Sequence, residues 1–266
     1  MMREYLVFQL YGPLASWGDI AVGETRPSAL TPSKSTVLGL VAAALGLKRP
    51  DPTMEEAERN EWESQHNALA KGYGMAVKSH ALGVPLSDYH TAQVPSSGTG
   101  RNRKTFHTRH DEITWHSRSE LNTILSRRDY RQDAFCRIAL WTRDDAPIAL
   151  AGLREVLLAP HFTLYLGRKA CPLALPLDPQ VIFAKSMEEA LGQFNSRKLF
   201  RLLLSAWGKS TRSFLKRAAD PSPLLLWDHD AETMMPLEQT ITRRDEPLSR
   251  RRWQFSVREE HSTHIK

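Results

Sequence analysis

Apolar residues fall in short runs separated by polar stretches, and the spacing within each run predicts its element. EYLVFQLYGP, Glu4 to Pro13, is rich in aromatic and β-branched residues and closes on Gly12-Pro13, the pattern of a strand. Thr36 to Leu47 is small, apolar and helix-forming, which predicts a buried helix. Residues 48 to 66 turn acidic, with Glu55, Glu56, Glu58, Glu61 and Glu63, and read as a solvated helix. YGMAVKSHALG predicts a strand, and SDYHTAQV a second one after a short turn. From Pro95 to Asp133 the chain is polar and poorly periodic. AFCRIALWT returns to strand character. PIALAGLREVLLAP then sets Leu150, Leu153, Val156 and Leu157 at helical spacing before Pro160, and FTLYLG predicts another strand.

This order is close to β-α-β-β-α-β with a long insertion, an α+β plan of the ferredoxin-like (RRM-like) kind. Such a sheet serves RNA-recognition modules, but a fold by itself names no function. Residues 196 to 217, SRKLFRLLLSAWGKSTRSFLKR, are amphipathic and basic without an acidic residue. They read either as a helix with a solvated basic face or as a contact with a polyanion or partner. QTITRRDEP and RRWQFSVRE look like a closing strand pair. The expected organisation is a ferredoxin-like domain over 1–172 with an insertion at about 95–132. A smaller β-rich region over 173–266 would follow.

Composition narrows the class. At 266 residues, 41% hydrophobic and 25% charged, the chain is globular rather than disordered. A formal charge of +6 and a pI near 9.4 suit a polyanionic partner. Cys136 and Cys171 lie far apart with no C-x-x-C spacing, which argues against a disulfide framework or a zinc knuckle. Arg3 and Glu4 leave no room for an apolar signal segment, and no apolar run reaches membrane-spanning length. The expectation is a soluble cytoplasmic protein with no membrane partner.

Three stretches carry candidate chemistry. Ahead of the Thr36 helix stands a collar of Arg26, Thr31, Pro32, Ser33, Lys34 and Ser35. Ser33 or Ser35 can cap the helix, and the same free N–H groups with Lys34 can hold an anion. No G-x-x-x-x-G-K-[ST] precedes it, so it is not a nucleotide P-loop. The insertion SSGTGRNRKTFHTRHDEITWHSR gathers Arg101, Arg103, Lys104 and Arg109 with His107, His110, Phe106 and Trp115. Arginines clamp phosphates and aromatic rings stack on bases, so this reads as a nucleic-acid contact. His107, His110, Asp111, Glu112 and His116 lack a firm metal-ligand spacing, and no metal site or cofactor is assigned. Tyr89, His90, Lys104 and His107 are the residue types a metal-independent ribonuclease uses. In YLGRKACPLALP, Gly167 permits close backbone approach beside Tyr165, Arg168 and Lys169.

Taken together, YLVFQLYGPLASWG, TRPSALTPSKSTVLGLVAAALG, DYHT, YLGRKACPL and RRDEP resemble the CasD family, the type I-E CRISPR Cascade subunit that binds the 5′ handle of the guide RNA. The blocks run in family order over most of the chain. The resemblance implies a ferredoxin-like domain with a protruding thumb, formed here by about Pro95 to Arg118. It implies the crRNA 5′ handle as ligand, a backbone subunit and the large subunit as protein partners, and target DNA nearby. It sets Arg26, Ser33, Lys34 and Ser35 near handle phosphates, and Tyr165, Gly167, Arg168 and Lys169 along the handle path. Trp17 of GPLASWG and His90 of DYHT join the RNA-binding set, as do Arg101, Arg103, Lys104, His107 and Arg109 of the thumb. It implies a non-catalytic subunit; an endoribonuclease processing CRISPR repeat RNA, as in a related branch, is the alternative.

Overall fold

REYLVFQLY forms β1 (Arg3–Tyr11), buried on both faces from Tyr5 onward. A strand covered on two sides needs apolar residues at successive positions rather than alternate ones, and this run supplies them. The computed structural model describes residues 2–95, 106–195 and 222–265. In it β1 lies between β7 (Phe135–Thr142) and β8 (Gln180–Ala184), antiparallel to both. The sheet continues through β4 (Tyr73–Ala81), β9 (Leu224–Asp228), β11 (Gln254–His264) and β10 (Gln239–Ser249). Its seven strands run β10-β11-β9-β4-β7-β1-β8.

Alternation along β1 splits the core. Leu6, Phe8 and Leu10 pack with α1 (Lys34–Leu45) and α4 (Leu150–Leu158), whereas Tyr5 and Val7 pack with α5 (Met187–Gln193). α1 begins at Ser33, whose hydroxyl accepts from the Thr36 N–H, and ends at Gly46 in the left-handed conformation, φ 80°. The acidic helix expected over 48 to 66 is α2 (Glu56–Gly72). It runs further because His66, Leu69 and Ala70 are buried.

A second, smaller sheet stands on the first. β5 (Val84–Pro95) and β6 (Leu121–Gln132) pair along their whole length, Val84 opposite Gln132 and Pro95 opposite Leu121. At the root of this hairpin β2 (Leu14–Ala15) joins β6 antiparallel, and β3 (Thr25–Arg26) joins it parallel. α3 (Arg109–Trp115) lies beyond the far end.

Three expectations change. The stretch from Pro95 to Asp133 is not structureless: it contains β6, of which only Tyr130 is buried, so that most of the strand carries no hydrophobic period. SDYHTAQV is a strand, but of the hairpin rather than the main sheet. FTLYLG forms only the isolated bridge Tyr165 to Pro172, and the last strand beside β1 is QVIFA. The division expected at 172/173 falls ahead of β8, which shares a sheet with β1. The basic segment 196–217 lies outside the described residues, as do Arg101, Arg103 and Lys104.

Candidate nucleic-acid interface

The hairpin root gathers basic residues from three parts of the chain. Arg26 of β3 pairs in register with Arg128 of β6, and Thr25 with Arg127, so Arg26 and Arg128 share one face of the ribbon. Arg26, Arg127 and Arg128 are all exposed. The loop from Tyr165 to Cys171 closes the cluster. Its Arg168 donates to the carbonyl oxygens of Asp129 (3.3 Å) and Arg26 (3.1 Å), with its guanidinium 4.6 Å from the centre of the Tyr130 ring. Arg168 therefore ties β3 to β6 and adds positive charge where they meet. Tyr165 and Lys169 beside it are exposed.

Gly167 makes this docking possible. Its φ is 88°, and a Cβ there would sit 1.8 Å from the Ser16 carbonyl oxygen. Only a residue without a side chain fits such an approach. On the other side of the contact, the Ser16 N–H donates to the Leu166 carbonyl at 3.0 Å. GPLASWG and YLGRK are thus two walls of one structure. Trp17 belongs to its interior: at 1% exposure it is core, and its ring offers no face to a base.

The collar requires a larger correction. Lys34 is 1% exposed, and its Nζ donates to Asp228 Oδ2 at 2.9 Å and Glu246 Oε1 at 3.1 Å. The Lys34 N–H donates to Asp245 Oδ2 at 2.8 Å. Of the carboxylates at its Nζ, Asp228 ends β9 and Glu246 lies on β10, and Arg258 of β11 bonds Asp228, Asp245 and Glu260. A buried ammonium between two carboxylates has no charge left for a phosphate, so Lys34 is a structural ion-pair residue. Ser33 is buried and caps α1, with its hydroxyl 2.8 Å from that of Thr36 and 3.0 Å from that of Ser35. Of the collar, Arg26 alone reaches the exposed cluster.

Along the hairpin the residues separate. His90 bonds Asp88 on its own strand. Tyr89 is 59% exposed and points to the opposite face from His90, since neighbours on a strand alternate. A base and a nucleophile-activating partner cannot converge from opposite faces, which removes the pairing of Tyr89 with His90. Arg109 is bound back to Glu112 and to the Gln93 carbonyl, anchoring α3 to the hairpin, while His107 and Trp115 are exposed. Among the described residues no three His, Cys, Asp or Glu side chains group as a metal site. Cys136 and Cys171 are buried free thiols.

Arg127 and Arg128 are absent from the residues singled out in the sequence. Their signal, SRRDYRQ, was present, but a polar run without hydrophobic period conceals a strand hardly buried on either face.

The model of the CRISPR-associated protein (Cas_Cas5) family matches residues 5–259. The chain belongs to the Cas5 family. Among relatives of this Cas5 chain is the CRISPR system Cascade subunit CasD of Escherichia coli strain K12. It is 31% identical over 198 residues, covering 71% of this chain and 76% of that protein. A chain of a CRISPR RNA-guided surveillance complex superposes with TM-score 0.60 at 21% identity, covering 98% of this chain and 90% of that one. A crystal structure of a Cas protein gives TM-score 0.56 at 21% identity, covering 98% and 94%. These likenesses extend the Cas5 fold over both sheets. No described helix is long and apolar enough to cross a membrane.

Proposed function

We propose that this Cas5 chain is the subunit of a type I-E Cascade complex that holds the 5′ handle of the guide RNA, without cleaving it. The observation that carries the reading is the exposed arginine cluster at the hairpin root. There Arg26, Arg128 and Arg168 come from three segments yet are held together by strand pairing and by the Arg168 bridge. A rigid row of guanidinium groups suits phosphates of a bent single strand, with Tyr165 at its rim to stack. The order β8-β1-β7-β4, with α1 and α2 after β1 and α4 after β7, supports a ferredoxin-like reading of this part of the sheet. The β5–β6 hairpin is then the thumb, and a backbone subunit and the large subunit are the neighbours it would meet. A complex of the cytoplasm, with target DNA close by, is part of this reading, and the kinship with a Cascade subunit supports it.

The test is purified protein in EDTA with labelled repeat RNA and with a matured, handle-bearing guide. Intact RNA and handle-preferring binding are expected. Arg26→Ala with Arg128→Ala should reduce the magnitude of the log K against log salt slope by about 1.4, two single-strand phosphates at about 0.7 each. Discrete cleavage within the repeat, lost on His90→Ala, would replace this reading with a repeat-processing endoribonuclease.

A further inference from the structure

A second basic feature lies away from the hairpin root, at the turn between β10 and β11. Arg250, Arg251 and Arg252 are consecutive there and are followed by Trp253. Trp253 has φ 55°, a left-handed backbone that a bulky residue adopts only under constraint, and its indole is 54% exposed. The guanidinium of Arg49, just past α1, lies 4.3 Å from the ring centre. Arg250 stands 5.7 Å from that ring and 5.8 Å from Phe255, which meets the indole edge-on.

The charge here is only partly offset. Arg250 is only 8% exposed, yet it donates to the Ser35 carbonyl (2.8 Å) rather than to an acid, and its buried Nε has no hydrogen-bond partner among the described residues. Burial, aided by the nearby Arg49 charge and opposed by Glu63, holds it down at about 10. Two acids stand nearby without forming an ion pair here: Glu63 accepts from the Arg251 N–H, and Asp51 accepts from Thr53. Among the described residues none of Arg49, Arg250, Arg251 and Arg252 forms an ion pair with a carboxylate. The contrast with Lys34 and Arg258 is sharp, since each of those faces several.

We propose that this turn is a second anion site, independent of the hairpin root, which grips the phosphodiester backbone of duplex DNA through Arg49, Arg251 and Arg252 around Trp253. The indole is flanked by Arg49 and Phe255, so it serves as a platform that holds a guanidinium edge outward rather than as an open face for a base. Contacts of that kind position a backbone and read no sequence. Three guanidinium groups around one turn suit the closely spaced charges of a duplex backbone. The site does not depend on the RNA reading above.

The experiment is salt-dependent anisotropy of the full chain with labelled mixed-sequence duplex DNA, alongside handle RNA. Arg251→Gln with Arg252→Gln, both exposed, should leave the melting curve in place. That pair should reduce the magnitude of the duplex slope by about 1.8, two phosphates at about 0.9 each. RNA affinity should hold in the same variant. Arg49→Gln and Trp253→Gly should each weaken duplex binding, the glycine while relaxing the turn. No duplex binding by the unaltered chain, an unchanged slope, or equal losses for RNA and duplex would overturn the proposal. Loss of poly-glutamate peptide binding in these variants with duplex binding intact would assign the turn to an acidic protein instead.

Discussion

Lys34, Gly167 and His80 show how far a single residue's role depends on what surrounds it. Lys34→Met takes the ammonium from Asp228 and Glu246, which keep Arg143 and, for Asp228, Arg258, and should cost about 1.5–3 kcal/mol in urea unfolding, as for a hydrogen bond to a charged group. The salt slope of RNA binding should not move. Gly167→Ala forces a Cβ against Ser16 and loses the left-handed conformation, so it should destabilise by more than about 1 kcal/mol, read as a lowered melting temperature. Two groups shape the acid limb. His80 is stacked on Phe135 and lowered to about 3 by burial, with the charges of Arg137 and Lys78 adding to the effect. Between about 6.5 and 3 the unfolded chain binds the proton and the folded chain does not, so stability falls as pH drops through that window. Asp230 is lowered to about 2 because the Arg143 hydrogen bond and charge outweigh its burial. Its contribution, about 2 kcal/mol, is present above pH 4 and is lost only as pH falls toward 2. His80→Phe should flatten the upper part of the limb and leave the lower part, as pH-dependent melting would report.

At the scale of elements, the β3–β6 junction depends on few bonds. β3 is two residues long, and the Arg127 N–H donates to the Glu24 carbonyl at 2.9 Å just beside it. Arg168→Ala removes two further donations and the Tyr130 contact. Amide exchange at Arg127 and Arg128 should quicken several-fold while the melting temperature changes little, because the main sheet does not use this residue. Legibility follows the same line. β1, β4 and β7 were visible because they are buried and apolar, and the closing pair because its residues alternate. β6 was not, since a strand hardly buried on either face leaves no periodic trace. QVIFA was passed over for FTLYLG, whose apolar residues belong to a docking loop instead.

For the molecule as a whole, the network of Lys34, Asp228, Asp245, Glu246 and Arg258 joins the first helix to strands whose carboxylates lie 194 to 212 positions along the chain. With the sheet continuous from β10 to β8, unfolding should be a single transition by both far- and near-ultraviolet circular dichroism. Lys34→Met should shift that transition intact rather than split off the last strands. The family was legible because its motifs are spread over most of the chain. The site was legible only in part: a lysine among hydroxyls looks the same in sequence whether its partner is a phosphate or a carboxylate far along the chain.

The long hairpin has a further consequence. Two strands paired only to each other over most of their length, with Val84, Leu86, Tyr89 and Ile124 turned outward, are marginal in water and adhesive. Such an arm should be the first part of the isolated chain that a protease cuts, and a body laid along it should slow that cut.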